Sequence, residues 1–101
     1  MRVDLGPAAE VLEGRPKCAT ANGKPYALFQ VGGKFFCLDN RCTHVGGPLC
    51  RGSMNASIVT CPLHGSRFDV RTGQVVGGPA QSSVRAYSVS IEANRLWADL
   101  P

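Results

Sequence analysis

Two short stretches, Cys42-x-His44 and Cys61-x-x-His64, carry the side chains of this sequence best able to do chemistry. Thiolate sulfur and neutral imidazole nitrogen are strong ligands for transition metals. The 101 residues contain only two histidines, and each stands within three residues of a cysteine. Gly46-Gly47-Pro48 follows the first pair and Gly65 follows the second, which puts both pairs on loops rather than inside regular elements. Four strong ligands supplied by two glycine-bearing loops read as a metal site.

The order of the ligands bears on which metal. Structural zinc sites usually pair like with like, two cysteines from a hairpin and then two histidines from a helix. Here each loop offers one sulfur and one nitrogen, and no helix is predicted that could carry a histidine pair. A binuclear iron–sulfur core, with two cysteines on one iron and two histidines on the other, fits the mixed order. Each loop then reaches both metals, and the two loops clasp the core from opposite sides. A zinc-stabilised structural module is the rival; it would be colourless.

The elements that must hold these loops read as strands. Lys17–Ala21 leads into Asn22-Gly23, a two-residue turn at which both positions tolerate positive φ. Tyr26–Val31 meets Gly32-Gly33, and Lys34–Leu38 follows as a second hairpin. Near the end, residues 84–91 alternate apolar and small polar side chains as one strand, and Glu92-Ala93-Asn94 turns the chain back through Arg95–Ala98. The single helical hint, Pro7 to Leu12, is stopped by Gly14 and Pro16. Residues 40–80 hold short hairpins, Ser57–Thr60 and Arg67–Val70 turning at Arg71-Thr72-Gly73 into Val75-Val76. So long a loop-rich stretch in a compact chain is usually disordered or functional, and two Cys/His pairs argue for the second. The fold class predicted is all-β, an antiparallel sandwich or small barrel.

Composition narrows the rest. Hydrophobic residues make up 44% and charged residues 18%, a globular balance. Five cysteines cannot all pair within one chain, so thiols are expected as ligands or as buried small side chains. Cys18 and Cys37 fall in strand patterns and are expected to be buried; Cys50 is expected on an exposed loop. No apolar run is long enough to span a bilayer, and the start lacks a signal-peptide core, which points to a cytoplasmic protein without a membrane partner. The formal charge is +4, and residues 34–76 alone contribute +3, from Lys34, Arg41, Arg51, Arg67 and Arg71 against Asp39 and Asp69. The basic residues stand singly, which disfavours nucleic acid; the excess reads first as solvated surface and second as a patch facing an acidic protein.

Cys42-Thr43-His44 with Gly46-Gly47-Pro48-Leu49, and Cys61-Pro62-Leu63-His64-Gly65-Ser66-Arg67-Phe68-Asp69, resemble the two cluster-binding boxes of Rieske [2Fe–2S] proteins. Phe35 to Asn40 resembles the strand that leads into the first box. Thr72-Gly73 and Gly78-Pro79-Ala80 resemble the exit hairpin and the third, proline-bearing loop. The resemblance spans essentially the whole chain. It implies one Rieske domain over residues 1–101, with a cluster-binding subdomain of about 40–80 inserted in a basal β-domain. It also implies one [2Fe–2S] cluster, with Cys42 and Cys61 on one iron and His44 and His64 on the other through Nδ1.

Such ligation has consequences. Two Fe³⁺, two S²⁻ and two thiolates sum to zero, whereas four thiolates would leave −2, and a neutral site takes an electron more readily than a dianion. Potentials of about −150 to +300 mV are then expected, against about −400 mV with four cysteines. Respiratory Rieske proteins carry an extra cysteine in each box, joined as a disulfide; those places are here Gly47 and Leu63. Their tyrosine donor to a cluster cysteine is here Phe68, although Ser66 can still donate to sulfide. Losing the bridge and one donor moves the expected potential toward the low end.

An oxygenase would need a further iron site with two histidines and a carboxylate, and no histidine remains for it. The resemblance therefore implies a small ferredoxin, an electron carrier and no enzyme by itself, between a flavin-containing reductase and a terminal oxygenase of the aromatic-ring-hydroxylating type. The alternative is the small Rieske-like subunit of a nitrite-reductase-type oxidoreductase. A monomer is expected. Both partners are expected to dock on the surface around His44 and His64, bordered by Val45, Pro48, Leu49, Leu63 and Pro79.

Overall fold

A computed structural model describes residues 1–44 and 46–101. Among these residues, eleven short strands form three antiparallel sheets. The first sheet has the order β1-β11-β10, from Arg2–Pro7, Arg95–Asp99 and Val89–Glu92. The second has the order β2-β3-β4-β9, from Lys17–Ala21, Lys24–Val31, Lys34–Asp39 and Ala86–Tyr87. The third has the order β5-β6-β7-β8, from Ser53–Asn55, Ile58–Thr60, Arg67–Asp69 and Val75–Gly77. Single 3-10 turns cover Ala8–Glu10 and Leu49–Arg51.

The second sheet is the middle layer, which explains the unbroken apolar run of β3. Side chains alternate faces along a strand. Ala27 and Phe29, with Leu38 of β4, join a core with Val59, Phe68 and Val70 of the third-sheet region. Tyr26 and Leu28, with Cys37, face the other way into a core with Leu96, Ala98 and Leu100. A strand covered on both faces has no polar side to show, so all four residues from Tyr26 to Phe29 are buried.

The predicted hairpins form. Asn22 and Gly23 take positive φ of 53° and 78° at the β2–β3 turn. Glu13 completes the next turn by accepting the backbone N–H groups of Gly32 and Gly33 at 3.0 and 3.3 Å. The structure departs from the sequence reading in three places. The alternating stretch 84–91 is two strands that part at Ser88: Tyr87 pairs with Cys37, while Val89 pairs with Ala98 in another sheet. The N-terminal stretch is a strand, bulged between Asp4 and Gly6 against β11. The third concerns cysteine. Cys18, on the exposed face of edge strand β2, and Cys50, buried in the second 3-10 turn, form a disulfide across 32 residues of sequence. Neither is a solitary buried thiol or an exposed one.

Candidate metal centre

Both ligand-bearing loops are closed by the same backbone device. Cys42 donates its N–H to the carbonyl of Gly47 at 2.9 Å, and Cys61 donates its N–H to the carbonyl of Ser66 at 2.7 Å. Each bond spans five residues and draws a cysteine and the following histidine into one tight loop. Loop 1 adds a bond from the Gly46 N–H to the Cys42 carbonyl at 2.8 Å. β4 delivers the chain to loop 1, and the β6–β7 hairpin carries loop 2 at its tip.

The loops sort their ligands by exposure. Cys42 and Cys61 are 1% and 2% exposed, in the same core as Phe29 and Leu38. His44 and His64 are exposed, with ring centroids 5.4 Å apart. The two thiols are within hydrogen-bonding reach of one another. Burial pushes the Cys61 thiol pKa up, the Leu63 N–H at 3.4 Å from its sulfur pulls it back, and the Cys42 thiol pushes it up again. Sulfur meets sulfur inside, and imidazole meets imidazole outside.

Among the described residues, no three Cys, His, Asp or Glu side chains converge on one point that could hold a single ion. A tetrahedral zinc site needs such convergence. Two irons with two protein ligands each do not, so the donor set fits a binuclear cluster.

Close packing defines the space around the ligands. A Cβ on Gly47 would lie 2.6 Å from the Cys61 sulfur and 3.2 Å from the Leu63 Cβ, so only glycine leaves the sulfur room. Positions 47 and 63 therefore face each other across the loops, slightly closer than the roughly 3.5–4.5 Å between the Cβ atoms of a disulfide, yet neither is a cysteine. His64 itself takes a φ of 71°, a left-handed conformation uncommon outside glycine that histidine tolerates better than most residues. The third loop locks loop 2 in place. Ser66, fully buried, accepts the Ala80 N–H at 3.0 Å through its hydroxyl oxygen and keeps its own proton to donate. A Cβ on Gly78 would meet the Ser66 Cα at 2.5 Å. Thr43 ties loop 1 to the same segment through the Ser82 carbonyl. Phe68 lies fully buried beneath and offers no donor.

Of the border predicted around the histidines, Leu63 is 45% exposed, Pro79 is exposed and Pro48 is half-buried. Leu49 is fully buried, because the 3-10 turn it opens points it into the core, and it borders nothing at the surface. Val45 lies outside the described residues. Sequence reasoning missed Asn40, whose side chain accepts the Cys50 N–H at 2.6 Å while its carbonyl accepts the Leu49 N–H at 2.9 Å. An Asn just ahead of a ligand loop was the available signal, since its side chain readily caps turns.

The Rieske [2Fe–2S] domain model matches residues 1–88. The chain is 36% identical over 98 residues to the ferredoxin component of the naphthalene 1,2-dioxygenase system of Pseudomonas aeruginosa, covering 97% of this chain and 94% of that one. It is 33% identical over 102 residues to the 3-phenylpropionate/cinnamic acid dioxygenase ferredoxin subunit of Escherichia coli, covering 99% and 94%. Among solved structures, the Sphingomonas yanoikuyae B1 ferredoxin superposes with a TM-score of 0.94 at 32% identity, each chain covered in full. The resemblance in the two loops thus extends through the whole fold, and the chain belongs to the Rieske [2Fe–2S] family.

Proposed function

We propose that this protein is a ferredoxin carrying single electrons from a flavin-containing reductase to a terminal oxygenase that acts on aromatic compounds. The single observation that carries the reading is the sorting of ligands, a buried thiol pair behind an exposed imidazole pair. Cys42 and Cys61 would hold one iron, and His44 and His64 the other. When bound, the cluster supplies a site that gains and loses one electron. The surrounding residues do the remainder. Phe68, Leu38 and Val59 keep water from the sulfur side, and the Ser66 hydroxyl is placed to donate to sulfide. The loops at residues 40–80 form a cluster-binding unit set into the basal sheets.

The ferredoxin names of relatives at 33–36% identity support the carrier role, since those proteins are components of aromatic dioxygenase systems. No helix among the described residues is long and apolar enough to cross a membrane; a cytoplasmic monomer completes the reading. Both partners dock at the face that carries His44, His64, Leu63 and Pro79. That contact is small and transient, as electron-transfer encounters are.

Substitution at the ligands tests the assignment. His64→Cys should keep a coloured cluster and lower its potential by adding a thiolate charge. Cys61→Ala should lose it. Iron and sulfide counts, with an EPR spectrum of the reduced protein, read both; a Cys61→Ala protein with full iron and sulfide would refute the ligand set.

A further inference from the structure

Most of the formal charge of +4 falls in the stretch that carries both ligand loops. From residue 40 to residue 82 the chain holds Arg41, Arg51, Arg67 and Arg71 against Asp69 alone. Asp69 and Arg71 cancel through two side-chain bonds of 3.1 and 2.9 Å, and Arg71 lowers the Asp69 pKa. Three arginines remain, and among the described residues none of them is in a salt bridge. The carboxylates elsewhere are engaged: Asp4 with Arg95, Glu10 with Lys17, Glu92 with Arg2 and Asp99 with the N-terminus. Asp39, the acid nearest loop 1, is held by Lys24 at 3.0 Å and by the Tyr87 hydroxyl at 2.7 Å.

Two of these three arginines adjoin the ligand loops, Arg41 just before loop 1 and Arg67 at the start of β7 just after loop 2. Arg41 directly precedes Cys42, and its guanidinium would lie 3.1–3.3 Å from a Cβ on Gly46. It lines one groove with Thr43, His44 and Asp39, the carboxylate already held by Lys24 and Tyr87. Arg67 follows His64 by three residues, with its guanidinium laid along Gly77 beside the third loop. Gly77 has no side chain to push it away. Both arginines are exposed, and Arg51 adds a third charge on the flank.

We infer that the histidine face is a positively charged dock for an acidic protein surface: a partner whose electron-transfer site is rimmed by carboxylates. This rests on the docking reading above and adds the charge of the partner. Arginine pairs carboxylates through two parallel bonds, and Leu63 and Pro79 supply the apolar centre that such a charged rim would surround. A protein fits this face better than nucleic acid, because the arginines stand singly and no exposed Phe, Tyr or Trp ring lies among them. Charges of this kind set the rate of encounter more than the final affinity.

The test uses the reduced holoprotein and two inorganic oxidants of opposite charge, hexacyanoferrate(III) and a hexaammine cation, in stopped flow. At about 10 mM ionic strength, the double variant Arg41→Gln/Arg67→Gln should slow the anion roughly three- to tenfold and speed the cation. Both effects should vanish at about 0.5 M salt. The control Arg15→Gln/Lys34→Gln removes the same net charge from the basal sheets and should change either rate by less than about twofold. Arg51→Gln alone should shift the rates in the same sense by less, which covers failure of the double variant to load its cluster. Equal effects from the two double variants, or none from the first, would overturn the inference, as would retardation of duplex DNA that depends on Arg41 and Arg67. Failure of the wild-type protein to pass electrons to either reagent would instead count against the carrier reading itself.

Discussion

Removing the Cys18–Cys50 bridge should cost this small domain a large share of its stability. The bond joins an edge strand of the middle sheet to the 3-10 turn that follows loop 1, and it closes 32 residues of sequence. Chain-entropy arguments give roughly 3.7 kcal/mol for a loop of that length. Domains of this size stand only about 5–15 kcal/mol above the unfolded state. Per-residue unfolding entropies convert the loss into a fall of about 15–20 °C in apparent Tm. Cys18→Ser is the better perturbation, because Cys18 is on the exposed face of β2 whereas Cys50 is buried. Circular dichroism of holoprotein and variant at one scan rate reads the shift, and alkylation of the denatured, unreduced chain reads the bond directly. Three alkylated thiols out of five are expected in the wild type. Five would refute the bridge, and a Tm change under about 2 °C would refute the loop-entropy argument built on it.

Gly47→Ala should lower cluster content severely, since its Cβ would intrude to 2.6 Å from the Cys61 sulfur; a fully loaded variant by iron assay would show that the loops give way freely. Ser66→Ala should lower the reduction potential by about 40–90 mV, the equivalent of one hydrogen bond of roughly 1–2 kcal/mol that favours the reduced state. Protein-film voltammetry measures it, and an unchanged potential would mean that the Ser66 proton points elsewhere. Burial, with a smaller push from Asp39, raises the Cys37 pKa to about 12. The folded thiol therefore stays neutral while the unfolded one ionises, so its contribution to stability is complete below the unfolded pKa and is lost as pH rises toward about 12. Urea midpoints should decline from pH 8 to 10, and Cys37→Ala should flatten the decline.

What could be read from the chain and what could not divide along a physical line. Local rules sufficed for the hairpins, because Asn22-Gly23 and Gly32-Gly33 need no distant partner to turn. The four candidate site residues stood out because sulfur and nitrogen at such spacings have few other uses. β1 was invisible: its bulge at Gly6 breaks the alternation, and its partner lies at the other end of the chain. The break at Ser88 leaves the period-2 pattern intact while the pairing passes from one sheet to another, a change no periodicity records. The disulfide carries no signal in spacing either. Cys18 and Cys50 meet only once β2 and the 3-10 turn have packed. Leu49 misled because loop residues with apolar side chains look exposed until a turn rotates them inward.

Both imidazoles open on one side of the molecule, while the sulfur side is walled in by core. The docking proposed above would give such a carrier a single doorway. Donor and acceptor could then not be held at once, so every delivered electron would require one partner to leave before the other arrives. Turnover of the assembled system is then governed by how fast each complex comes apart, and an excess of either partner over the other becomes an inhibitor by occupancy.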